Sequence, residues 1–394
     1  MKKGQGYLLT AALMIVFSSI SFSQDTAHAK RYQIAIFTPL YLDSAFNENG
    51  VYKQGMNFPK YINSGLEFYE GAQLAIDSLQ KEGLELDIHV FDSKSEKSPL
   101  TYVVNSTEFQ NTDLVLGNVN ANEAKMLANV VAKKGIPFIN ATYPNDAGVT
   151  NNPDFIILNS TLHTHCVAMY RFIQKNYPLA PIVLFRKKGA QEDKLKSYFE
   201  EISKTTAAVP LKIKYVLLDD NIDSAEVGDA LGDASNTVCI AGSLDVNFGQ
   251  QLTQALASIY PEHPSVIFAM PTWWDAAHFA KPVHKGMEVF YSTPFYMSPT
   301  QKLVMSIQSL FKTKFFSRPT DMVFRGYETL YHFAHLLVLN GGNLGSSLSD
   351  KRYKVFTDFD IQPVLDPKTN TLDYFENKKI YFVKKVDGNV VTVF

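Results

Sequence analysis

Runs of β-branched and aromatic residues alternate along this chain with segments whose apolar residues recur every three or four positions. Tyr32-Gln-Ile-Ala-Ile-Phe37 reads as a strand closed by Thr38-Pro39. Residues 61–82 then place Leu66, Tyr69, Ala72, Ile76 and Leu79 on one helical face. Leu86–Phe91 is the next strand, a helix is expected near 99–109, and Asp113–Gly117 is a third strand. Residues 121–134 carry Ala124, Leu127, Ala128 and Val131 on one face, with Gly135 as the stop before Ile136–Asn140. Strands that alternate with helices pair in parallel, because each helix carries the chain back across a face of the sheet. The order therefore demands a parallel sheet covered on both sides, with right-handed crossovers.

The alternation restarts after Phe155–Leu158. Helices at 163–176, 191–205, 224–231 and 246–259 are interleaved with strands at 181–185, 211–218, 237–241 and 265–270. Residues 286–296 read as a strand running into a crossing segment. Two further helices, near 300–315 and 320–339, end at Asn340-Gly-Gly-Asn-Leu-Gly345. Asp387-Gly388 between β-rich runs signals a terminal hairpin. With 394 residues, 46% of them hydrophobic, the chain exceeds one ordinary core, so two α/β domains are expected.

A formal net charge of −2 with both signs mixed gives no footprint for nucleic acid or an anionic membrane surface. No period or low-complexity segment stands out. Lys2 and Lys3, the apolar run Tyr7–Phe17, and Ser21 and Ser23 before Gln24 form a secretory signal over residues 1–23. The run is shorter than the ~20 apolar residues that span a bilayer. The mature chain is therefore expected outside the cytoplasm, in the periplasm, with no membrane insertion. The two cysteines, Cys166 and Cys239, read as buried thiols, with a disulfide as the alternative.

The sequence holds no phosphate-binding Gly-x-x-x-x-Gly-Lys-Ser/Thr loop, no Gly-x-Ser-x-Gly elbow and no His-Glu-x-x-His. Carboxylates form no distinguished pair, and no enzymatic role or cofactor is expected. His163-Thr-His165-Cys166 has metal-ligand residue types. Neighbouring residues at a helix start point apart, however, and zinc needs four converging groups, so they read as helix-start polar residues. Asn120 with Glu123 three residues on forms a capping-box pair, making Asn120 the expected N-cap of the 121–134 helix. A helix start of this kind, flanked by Asn118 and Asn122, also suits a carboxylate.

The order of elements resembles the type I periplasmic binding proteins, the family of the leucine/isoleucine/valine-binding proteins. Four stretches carry the likeness: Ile34–Leu40 followed by Gly71–Asp77, Asp113–Asn118, Gly135–Thr142, and Arg325–Ala334. The resemblance implies two Rossmann-like lobes joined by three crossing segments, placed near 158–162, 289–294 and 355–364. Residues 31–158 plus 290–355 would form lobe one, and 159–289 plus 356–394 lobe two. A ligand would sit between them at the carboxyl ends of the strands, enclosed by a hinge motion.

On that frame, Asn118, Asn120, Asn122, Thr142 and Tyr143 are the lobe-one contacts, holding a carboxylate-like end. His163 follows the first crossing. Arg186, Ser243, Asp245, Trp273, Trp274 and Asp275 stand at strand ends of lobe two, with Asp245 or Asp275 as the acid for an ammonium group. Asp245 reads equally as a helix N-cap. Tyr296, and Asp43 and Phe46 after the first strand, also reach toward the cleft. The implied role is an exported solute-binding protein that takes an amino acid or similar small molecule and serves a membrane permease. The alternative is an envelope regulator or scaffold of the same fold.

Overall fold

The computed structural model describes residues 30–394 apart from Met56, Ser235, residues 274–285, Ser346, Gly388 and Phe394. The expected signal over residues 1–23 lies outside the described residues, as do Trp274 and Asp275.

Two seven-stranded sheets organise the chain. The first is built from β1 (Tyr32–Thr38), β2 (Leu86–Asp92), β3 (Leu114–Gly117), β4 (Phe138–Asn140), β5 (Phe155–Ile157), β11 (Ile361–Leu365) and β12 (Leu372–Asn377), in the order β11-β12-β5-β4-β3-β1-β2. The second is built from β6 (Ile182–Arg186), β7 (Ile213–Leu217), β8 (Thr237–Ala241), β9 (Ser265–Ala269), β10 (Glu288–Thr293), β13 (Tyr381–Val386) and β14 (Asn389–Val393), in the order β14-β13-β10-β9-β8-β6-β7. The inner strands pair in parallel, as in Ile34 with Ile88 and Leu114. They are apolar on both faces because helices cover both. β1, for example, buries Ile34, Ala35, Ile36 and Phe37 completely.

The sheets are mixed rather than wholly parallel. β11 runs antiparallel to β12, and β13 runs antiparallel to both β10 and β14. These are edge hairpins, which need no covering crossover. They also correct the expected lobe boundaries. β12 pairs in parallel with β5, Phe375 against Ile156 and Glu376 against Ile157, so residues 361–377 finish lobe one instead of belonging to lobe two. β10 pairs with β9 and β13, so Glu288–Thr293 belongs to lobe two. The chain passes between the sheets at 158–161, at 294–301 and at 378–380. The helix expected near 99–109 is two short ones, Leu100–Val103 and Thr107–Gln110, because Ser106 is extended at φ −75° and ψ 159°.

Lobe two has one apolar core, centred on Phe185, Phe199, Phe268 and Trp273. Lobe one has a core on each face of its sheet. The larger includes the crossing of helix Lys60–Lys81 with helix Asp321–Leu339, and glycines make that crossing close. A Cβ on Gly71 would stand 1.9 Å from the Val323 carbonyl oxygen, and one on Gly326 would stand 2.0 Å from the Phe68 carbonyl oxygen. Both glycines lie in stretches that carried the resemblance. Cys166 and Cys239 are free and buried in lobe two.

Candidate functional site

A cavity of about 1300 Å³ lies between the lobes. Its walls come from the carboxyl ends of strands in both sheets. Tyr143–Asp146 follows β4, Asn159–Thr161 follows β5, Leu244 follows β8, Pro271 and Thr272 follow β9, and Ser292 and Thr293 close β10. The crossing segments, including Phe295, Tyr296 and Lys378, line its waist. Strand ends of open parallel sheets converge there because the covering helices start at that edge.

The waist is held by a buried carboxylate. Glu376 accepts hydrogen bonds from the Thr161 amide at 2.8 Å and hydroxyl at 2.9 Å, and pairs with Lys378 at 2.6 Å. Burial works to raise its pKa, but the Lys378 ammonium, with Thr164 and Thr161, outweighs that and holds the carboxyl below its ordinary value. The Ser160 hydroxyl donates to the Asn377 carbonyl, and the Asn377 amide donates to the Leu158 carbonyl. Two of the three crossings are thus tied side by side. The neighbouring His165 is fully buried with Nδ1 2.8 Å from the Ser292 hydroxyl, and burial pushes its pKa down to about 4. It is therefore neutral near pH 7, and it too lines the cavity.

On the lobe-one wall, helix Asp321–Leu339 contributes Phe324, Arg325 and Glu328. Arg325 pairs with Asp321 at 2.8 Å and lies over the Phe295 ring at 4.0 Å. Glu328 accepts from the Phe356 amide, the Thr357 amide and the Thr357 hydroxyl. Burial pushes its carboxyl up to about 7, and those bonds pull against the rise. Aromatic rings complete the lining: Tyr143 and Tyr374 from lobe one, and His163 and Tyr198, in edge contact at 5.0 Å, from lobe two. Such rings offer large apolar faces with polar tips.

Of the residues expected from sequence, Tyr143, His163 and Tyr296 line the cavity. Of the others that are described, none lines it, and most have an internal task. Asn120 caps helix Ala121–Ala132 through a complete capping box with Glu123. Asn118 is buried, donating to the Thr38 hydroxyl and the Ser64 carbonyl and accepting from the Thr142 hydroxyl at 2.8 Å, so Asn118 and Thr142 satisfy each other. Asn122 is exposed in the first turn of that helix. Asp43 accepts from the Ser95 hydroxyl and the Glu96 and Lys97 amides.

In lobe two, Arg186 pairs with Asp193 at 2.5 Å and Ser243 donates to the buried Glu192 at 2.7 Å. Asp245 caps helix Val246–Ile259 and pairs with Lys187. Trp273 is wholly buried against Gly249, in the core rather than the cleft. His163, His165 and Cys166 do not converge, and no group of three metal-ligating residues occurs among the described residues. Sequence reasoning missed Lys194, Tyr198, Arg325, Glu328, Tyr374, Glu376 and Lys378. One signal was available: Lys194 and Tyr198 stand four apart, on one face of the helix after β6, whose start lies on the edge where the cleft lies.

No family model and no curated protein matches the chain. Solved structures do. A branched chain amino acid ABC transporter periplasmic ligand-binding protein from Burkholderia xenovorans superposes with a TM-score of 0.62 at 14% identity, covering 92% of this chain and 95% of that one. An ABC transporter substrate-binding protein from Desulfitobacterium hafniense, in complex with Leu, gives 0.57 at 12% identity over 92% of this chain and 100% of that one. Full-length LpoA from Haemophilus influenzae gives 0.56 at 14% identity over 93% of this chain and 59% of that one. These are likenesses of fold. The chain has the type I periplasmic binding protein fold that its sequence resembles.

Proposed function

We propose that this protein is an exported solute-binding protein that captures an amino acid or similarly small polar molecule between its lobes and delivers it to an ABC-type permease, without catalysis. One observation carries the reading. The cavity of about 1300 Å³ is walled by both lobes and by the crossing segments, so a guest there is buried by all of them. Its lining of aromatic rings with a few placed hydroxyls and charges is the composition of a small-molecule site. The two structural relatives named as transporter binding proteins support the role, and in one of them the bound molecule is Leu. Among the described residues no helix is long and apolar enough to cross a membrane, which agrees with a part that hands cargo to a separate permease.

Thermal unfolding in the presence of each of the twenty amino acids and a set of dipeptides tests this. A ligand at 100 times its Kd adds about 2.7 kcal/mol to the stability of the folded state. At least one compound is expected to raise the Tm by several degrees. A flat response across the whole set overturns the reading. It would favour instead an envelope scaffold acting through protein contacts, which the internally satisfied loops at Asn118, Asn120 and Thr142 already suit.

A further inference from the structure

The ends of the two sheets are β11, β2, β7 and β14. An edge strand offers its outer N–H and C=O groups to any other strand, and charges, prolines and bulges are the usual guards against that. Three of these edges are guarded. β11 contains Pro363, and its register with β12 slips between Val364 and Leu365. β2 exposes Asp87 and ends on Asp92, and β7 exposes Lys214. β14 reads Asn-Val-Val-Thr-Val, with no charge, no proline and an unbroken register against β13. Its Val390 and Val391 are 55% and 43% exposed.

The open side of β14 has a definite pattern. Val386 and Asn389 face each other across a two-residue connection, so they form the hydrogen-bonded pair that closes the hairpin. Bonded and non-bonded pairs alternate from there. Val390, opposite Lys385, and Thr392, opposite Val383, are therefore the residues whose N–H and C=O point away from β13. No described residue outside the hairpin takes those groups up. Two outward residues separated by one make the edge its own complement. A second β14, antiparallel and related by a twofold axis through Val391, sets Val390 opposite Thr392 on both sides of the axis. Every outward N–H then meets an outward C=O.

Charge does not oppose this pairing. In the cross-strand row through Val391 the next residue is Lys384, which is paired with Glu288. Its symmetry copy would lie three strand spacings away, about 14 Å. The row through Val390 begins at Lys385 and would end on Val383, so no like charges meet.

We propose that β14 is a self-association edge, through which two copies of this chain pair antiparallel about Val391 and join their seven-stranded lobe-two sheets into one. The occupant is a second copy because the edge complements itself and carries nothing that repels its own image. A strand pair of five residues is a small interface, so the dimer is reversible, with a Kd on the order of micromolar. The pairing is independent of what the cavity binds.

Cross-linking tests the register. The chain has two cysteines, both buried, so V391C adds an accessible thiol. Across a non-hydrogen-bonded antiparallel pair the Cα atoms lie about 4.5 Å apart, within the span of a disulfide. Mild oxidation of V391C is expected to give a covalent dimer, whereas V390C, which faces Thr392 across the axis, stays largely monomeric. Sedimentation equilibrium of wild type should show the mass rising from one chain to two through the micromolar range. V391K sets two ammonium groups against each other at the axis and should weaken association at least tenfold, with the monomer's Tm within about 1 °C of wild type. Wild type that stays monomeric throughout, V391K that associates like wild type, or V390C that cross-links as readily as V391C would each overturn the proposal. If V391K fails to fold, the pair of cysteine variants still decides it.

Discussion

Glu328 is the residue at which pH should register most directly. Its carboxyl is raised from 4.5 to about 7 by burial, so the folded state holds a proton that the unfolded chain releases earlier. That contribution to stability is complete below about pH 4.5 and is lost as pH rises toward 7. Glu328→Gln keeps an acceptor for the Phe356 and Thr357 amides and cannot titrate. The stability of wild type relative to this variant should therefore fall by up to roughly 3 kcal/mol between pH 4.5 and 7 and stay level above. Buried His165, depressed to about 4, acts in the opposite direction, losing its contribution as pH falls below 6.5, but it is common to both proteins and cancels. Urea unfolding of the pair across that range measures the difference; a constant offset would mean that Glu328 is not protonated in the fold. Few such residues were legible in the sequence. Tyr143, His163 and Tyr296 were found because they follow strand ends or crossings. Glu328 and Tyr374 were not, because their place in the cleft depends on how a helix and an edge strand dock from elsewhere in the chain.

At the scale of elements, the sequence was far more informative. Helices Ser224–Leu231 and Val246–Ile259 fall where periodicity puts them, and the long helices shift by a residue or two at their ends. Periodicity records a buried face, and these faces are buried locally against neighbouring strands. The hairpin β11–β12 escaped notice since Pro363 and the polar Gln362, Asp366 and Lys368 mask its alternation, and its partner β5 is some two hundred residues earlier. The glycine crossing of helices Lys60–Lys81 and Asp321–Leu339 makes a direct prediction. Gly326→Ala sets a methyl group against the Phe68 backbone carbonyl, which no side-chain rotation relieves, so the helices must separate. A loss of at least 1–3 kcal/mol is expected, despite the better helix propensity of alanine. Guanidinium unfolding reads it, and an unchanged or higher midpoint would mean the helices are not in backbone contact.

For the whole molecule, the two thiols serve as a reporter confined to one lobe. Cys166 and Cys239 are both wholly buried in lobe two, where burial raises their thiol pKa values, Cys239 to about 12. Neither should react with a disulfide reagent such as DTNB in the native protein, and two thiols per chain should titrate once it is unfolded. Labelling at low urea then follows the opening of lobe two alone, and a bound solute that holds both lobes should slow it. A native protein that labels within minutes would contradict the burial.

The edge hairpins carry a consequence for how this chain comes into being. Lobe one awaits residues 361–377 and lobe two awaits 381–393, so the outermost strands of both are supplied by one late stretch. Neither sheet can close before that stretch is present, whatever order the rest of the chain folds in. The two halves are therefore completed together, by a single hairpin-bearing segment that visits one and then the other.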